Sequence, residues 1–110
     1  MYKLVAIDLD GTLLNSYGEV SNENKQSIKN AINNGVEVVL SSGRIGDSVE
    51  SIANELGANN YYISGNGSML YNMKENKIEY ENFIEKEKML KLIKICDENS
   101  IYYSIYTENM

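Results

Sequence analysis

The feature that most constrains this chain is an abrupt change of polarity near its start. In MYKLVAIDLDGTLLN, Met1 to Asn15, an apolar run from Leu4 to Ile7 stops on Asp8, and Asp10, Gly11 and Thr12 follow at once. Side chains two apart on a strand point to the same face. If the strand ends near Asp8 and the chain turns at Gly11, Asp10 swings back towards the same crevice. Two carboxylates in so small a space call for a bound cation or a raised pKa on one of them. The chain contains no histidine, and a donor set of hard oxygens favours magnesium over zinc.

Composition narrows the classes of function. A length of 110 residues suffices for one small core. With 43% hydrophobic and 24% charged residues, the chain has the make-up of an ordinary globular protein. Sixteen acidic against ten basic residues give a net charge of -6, which argues against nucleic acid as a partner while leaving local phosphate binding open. Cys96 is the single cysteine, so no internal disulfide forms, and a reducing cytoplasm is the expected compartment. Asp8 and Asp10 interrupt the N-terminal apolar run too early for a signal peptide. No apolar stretch is long enough to cross a bilayer, so no membrane partner is expected.

The pattern along the chain predicts an α/β fold. A strand from Tyr2 to Ile7, a near-continuous apolar run, reads as buried on both faces of a parallel sheet. Ser21 suits the N-cap of a helix over Asn22 to Asn34, with Ile28, Ala31 and Ile32 on one face and Gly35 as its stop. Val36 to Leu40 is a second buried strand, running into Ser41-Ser42-Gly43-Arg44. Ile45, Val49, Ile52, Ala53 and Leu56 make the clearest helical stripe, closed by Gly57. Tyr61 to Ser64 is a third strand leading to Gly65-Asn66-Gly67. This alternation is the signature of βαβ units on a parallel sheet. Ser68 to Asn72 and Lys77 to Glu81 then read as a hairpin. A helix over Glu85 to Glu98 follows, with Met89, Leu92, Ile93 and Cys96 facing inward, and Ile101 to Thr107 reads as a further strand.

Ligands of such sheets sit beyond the carboxyl ends of the strands, which here carry Asp8 and Asp10, Ser42, and Asn66. A nucleophile, a metal and neutral donors for phosphoryl oxygens are what phosphoryl transfer requires. Ser42 also suits a helix cap, and Asn66 between two glycines also suits a left-handed turn.

These motifs resemble those of the haloacid dehalogenase superfamily of phosphohydrolases. Asp8-Leu9-Asp10-Gly11-Thr12-Leu13 looks like its first motif. VVLSSGR, Val38 to Arg44, is similar to the second, with Ser42 in the serine or threonine position. ISGNG, Ile63 to Gly67, resembles a segment of the Cof-type branch, whose cap domain is inserted after the third strand. The resemblance implies a Rossmann-like core whose first part spans residues 1–82, with residues 83–110 as the beginning of an α+β cap. It implies a magnesium-dependent phosphatase of small phosphorylated metabolites such as sugar phosphates, working through an aspartyl-phosphate. Asp8 would be the nucleophile and Asp10 the acid/base, and both would contribute to the metal site, Asp10 through its carbonyl. Gly11, Thr12, Ser42, Gly43, Arg44 and Asn66 would serve phosphate or substrate, with Arg44 contacting substrate or bracing the cap.

The family's third-motif lysine and fourth-motif aspartates have no counterpart in this sequence. The expectation is therefore a truncated chain that ends inside the cap and is inactive alone. An incomplete sheet would also leave the first strand as an exposed edge. The contrasting expectation is a non-catalytic remnant or binding module with half a site. Oligomeric state is not legible.

Overall fold

The computed structural model describes residues 1–107. Five strands form one sheet in the order β1-β2-β3-β4-β5: β1 (Leu4–Ile7), β2 (Glu37–Ser41), β3 (Tyr61–Ser64), β4 (Met69–Asn72) and β5 (Lys77–Glu81). The first three run parallel, and the last two add to β3 as an antiparallel hairpin. Helices α1 (Asn22–Asn33) and α2 (Gly46–Leu56) are the crossovers between the parallel strands, and α3 (Lys86–Glu98) follows the hairpin. The expected α/β class and every expected helix are present.

Local chemistry sets the boundaries. The Ser21 hydroxyl accepts a hydrogen bond from the Asn24 N–H at 3.2 Å and caps α1. At the other end of α2, Gly57 adopts a left-handed conformation, with φ 74°, that a side chain would disfavour. Leu40 of β2 pairs in register with Ile7 of β1 and Val38 with Val5. Val38 and Leu40 join Ile28 of α1 and Val49, Ala53 and Leu56 of α2 in one buried cluster. Val39, between them, points to the opposite face, as the two-residue period of a strand requires.

Burial of β1 differs from the pattern read in its sequence. Leu4, Val5 and Ala6 are exposed and Ile7 is half-buried. Among the described residues the strand lies at the sheet edge with β2 as its sole neighbour, so apolar composition alone did not secure cover on two faces. The exposed edge expected for an incomplete sheet is what forms.

Two expectations near the C-terminus are corrected. Residues 101–107 form no strand: they are exposed and pair with no other segment among the described residues. Strand propensity yields a strand only where the segment pairs with an edge, and residues 101–107 join neither β1 nor β5. Helix α3 buries no residue at all. Met89, Ile93 and Cys96 are half-covered, whereas Leu92 is 52% exposed, so the inward-facing set is not a core.

Candidate active site

After β1 the chain makes one wide turn over Leu9–Leu13. It is closed by bonds from the Leu13 N–H to the Asp8 carbonyl at 3.2 Å and from the Leu14 N–H to the Leu9 carbonyl at 3.0 Å. Leu9 anchors it, fully buried at 0% exposure, with Leu13 and Leu14 beside it in the core. Gly11 sits at φ 77°, which makes glycine the fitting residue there. Apolar residues thus hold the turn down while Asp8, Asp10 and Thr12 remain at the surface. The bonds that close the turn use the carbonyls of Asp8 and Leu9, and neither engages that of Asp10.

The two carboxylates have different partners. Asp8 accepts a hydrogen bond from the Thr12 hydroxyl at 3.1 Å. Asp10 is held by Arg44 through both carboxylate oxygens, from Nε at 2.8 Å and from Nη2 at 2.7 Å. Hydrogen bonding from Arg44, reinforced by its charge, holds the Asp10 carboxyl below the usual carboxylate range against a smaller effect of desolvation. The guanidinium of Arg44 also donates from Nη1 to the Ser48 hydroxyl of α2 at 3.1 Å.

The loops after β2 and β3 are joined by their backbones. The Asn66 N–H bonds to the Ser42 carbonyl at 3.1 Å, and the Gly65 N–H to the Arg44 carbonyl at 3.0 Å. Asn66 takes a left-handed conformation at φ 55°, so the turn geometry its flanking glycines suggested is present. A side chain at Gly43 would place Cβ 2.7 Å from the Asn66 carboxamide oxygen, so glycine permits this approach. Ser42 is 4% exposed, and its hydroxyl accepts from the Arg44 N–H at 3.1 Å. Ser42 therefore steadies the loop rather than capping α2, whose N-cap is Ile45. Its own O–H remains available as a donor.

The expected residues thus fall into three linked groups at the carboxyl ends of β1, β2 and β3: Asp8 with Thr12, Asp10 with Arg44 and Ser42, and Gly43 with Asn66. Sequence reasoning missed Ser48 and the destination of Arg44. The available signal was that Arg44 is the single arginine and that Ser48 lies four residues further on.

Among the described residues, no three His, Cys, Asp or Glu side chains gather as a metal-binding cluster. A cation here would rest on the Asp8 carboxylate and the unengaged Asp10 carbonyl. That sparse set of oxygens suits magnesium, which keeps waters and takes substrate oxygens to complete its shell.

The fold and these loops belong to a known class. Residues 5–110 match the family of haloacid dehalogenase-like hydrolases, and the chain is a member of it. Among individual proteins, it is 38% identical over 105 residues to the phosphatase YwpJ of Bacillus subtilis, covering 96% of this chain and 36% of that one. It is 40% identical over 77 residues to the 5-amino-6-(5-phospho-D-ribitylamino)uracil phosphatase YcsE of the same organism, covering 70% of this chain and 31% of that protein. A crystal structure of a haloacid dehalogenase-like hydrolase from Bacteroides thetaiotaomicron superposes with a TM-score of 0.82 at 34% identity, covering 91% of this chain and 39% of that one. The chain therefore spans about a third of the length of the curated relatives it matches. No helix among the described residues is long and apolar enough to cross a membrane.

Proposed function

We propose that the protein carrying this chain is a magnesium-dependent phosphatase of small phosphorylated metabolites, acting through an aspartyl-phosphate on Asp8. The observation that carries this reading is the turn at Asp8 to Thr12, set at the carboxyl end of β1 and tied by Arg44 to the loop after β2. In the first step an Asp8 oxygen bonds to phosphorus and the bond from phosphorus to the leaving oxygen breaks. The departing oxygen takes a proton from the Asp10 carboxyl. In the second step a water oxygen attacks phosphorus, its proton passes to the Asp10 carboxylate, and the Asp8 oxygen leaves. Inorganic phosphate is released and both aspartates return to their starting forms.

The pairing with Arg44 favours the carboxylate form of Asp10, the form the second step uses, and works against the protonated form with which the first step begins. Ser42 and the amides of the Asp10-Gly11 turn are the neutral donors for phosphoryl oxygens, and Asn66 orients the rest of the substrate. Magnesium, held by the Asp8 carboxylate and the Asp10 carbonyl, would supply charge neutralisation on the transferring group. A phosphorylated ribitylamino-uracil, the substrate in the name of one relative, falls within the proposed class, as do sugar phosphates.

The 110 residues alone are proposed to be nearly inert. The family's charge-balancing lysine and further aspartates have no match in them, and losing one such group commonly costs about 10²- to 10³-fold. The test is turnover of an aryl phosphate by the full natural chain with and without magnesium, alongside Asp8→Asn. Magnesium-dependent hydrolysis that disappears in Asp8→Asn is expected. Wild-type turnover retained by that variant would contradict the reading.

A further inference from the structure

Arg44 is held at three points. Its N–H bonds to the buried Ser42 hydroxyl, its Nη1 to Ser48 of α2, and its Nε and Nη2 to the two oxygens of Asp10. A guanidinium is planar, and a two-point bond to a carboxylate fixes the plane of both groups, which a lysine ammonium does not do. Asp10 and Arg44 are 34 residues apart in sequence, so this fork is the link between the side chains of the first loop and the second. The Asp10 carboxylate is otherwise at the surface, on a residue whose φ and ψ of -68° and 123° are not helical. Ser48, in turn, stands on the first turns of α2, whose Val49 and Ala53 are fully buried. A rigid helix, a serine and an arginine therefore lead in sequence to the carboxylate of Asp10.

We infer that Arg44 is a positioning residue: it orients the Asp10 carboxyl for proton exchange with the leaving group and water, and does not serve as a substrate contact. The inference rests on the proposed phosphatase reaction. Three of the guanidinium's five N–H groups are engaged within the chain, two by Asp10 and one by Ser48, so the side chain is aimed at Asp10 and anchored to α2. Misplacement of a reacting group by about 1 Å is enough to cost about 10²-fold in rate. Protonation matters most for a leaving oxygen that is a poor leaving group, so the effect of Arg44 depends on the substrate's alcohol.

The experiment compares wild type, Arg44→Ala, Arg44→Lys and Ser48→Ala in the full natural chain, on an alkyl phosphate and on 4-nitrophenyl phosphate. Arg44→Ala is expected to lower kcat about 10- to 100-fold on the alkyl phosphate, with KM within about threefold. The loss on the nitrophenyl ester, whose leaving group needs little help from an acid, is expected to be clearly smaller. Arg44→Lys is expected to recover only part of the loss, because it restores charge without the fork. Ser48→Ala, which loosens Arg44 without touching Asp10, is expected to show the same substrate dependence more weakly. A raised KM with kcat kept would make Arg44 a substrate contact and overturn the inference, as would equal losses on both esters. If Asp8→Asn is inactive while Arg44→Ala is unimpaired, the inference fails and the phosphatase reading stands. If Asp8→Asn keeps turnover, both fail.

Discussion

Helices α2 and α3 carry similar apolar stripes and meet different fates. In α2, Val49 and Ala53 are fully buried and Leu56 nearly so, packed against the same cluster as Val38 and Leu40 of β2. In α3, Leu90, Leu92 and Ile95 are all more than half exposed. Amphipathic spacing specifies that a helix has a face to bury, while topology decides whether anything lies opposite it. The crossover between two parallel strands forces α2 onto the sheet. Helix α3 follows a hairpin and is under no such constraint. The chemistry follows the same division, since every candidate site residue lies just beyond the carboxyl end of one of the three parallel strands.

The largest expected difference between the two regions is in stability. Leu56→Ala should lower the unfolding free energy by about 2–4 kcal/mol, while Leu92→Ala should stay within about 0.5 kcal/mol. Denaturant unfolding of the two variants measures both. A cost at Leu92 equal to that at Leu56 would mean that α3 is packed in solution and would break the comparison.

The helix N-termini sharpen it further. Ser21 caps α1 through its side chain, whereas Glu85 at the N-cap of α3 makes no side-chain cap bond. Ser21→Ala should cost about 1 kcal/mol and Glu85→Ala a few tenths at most, read from the same unfolding curves. Comparable losses would contradict the assignment of the caps.

Gly43→Ala should leave stability almost unchanged, because the new methyl group meets the movable end of the Asn66 side chain. Displacing that carboxamide should instead raise KM several-fold, about 1 kcal/mol, in a steady-state assay of the full natural chain. An unaltered KM would remove Asn66 from substrate positioning.

The smallest effect concerns ionisation. Burial, aided by Glu50, Tyr71 and Asp47, pushes the Tyr62 phenol up to about 12. Folding thus favours its neutral form. The associated stability is complete below pH 10 and is lost as pH rises from there towards 12. Tyr62→Phe should therefore lose less stability than wild type across that window. Parallel losses would place the Tyr62 hydroxyl in water.

Legibility in the sequence follows the same division. Strands and helices of the crossover region could be read closely because each carries its own period and its own stop. Tyr61 to Ser64 falls where expected, and Gly57 ends α2 in the left-handed conformation its position suggested. The meeting of the three loops was also legible, since parallel strands bring their carboxyl ends to one side. The Asp10–Arg44 fork was not, because the pairing of an exposed and a half-buried side chain 34 residues apart depends on rotamers that no periodicity encodes. Ser48 was hidden for the same reason. At the other end, Ile101 to Thr107 has strand composition but joins neither free edge of the sheet, and the α3 stripe has helical spacing but buries no residue. Both errors treated a local preference as though a tertiary partner were assured.

The central claim, that Asp8 is the nucleophile, is tested most directly by trapping. The full natural chain is mixed with substrate and magnesium, quenched in acid within one turnover, digested and read by mass spectrometry. The account predicts a phosphoryl group on Asp8, absent from Asp8→Asn. Continued turnover with no adduct on Asp8, or with an adduct on another residue, would contradict it.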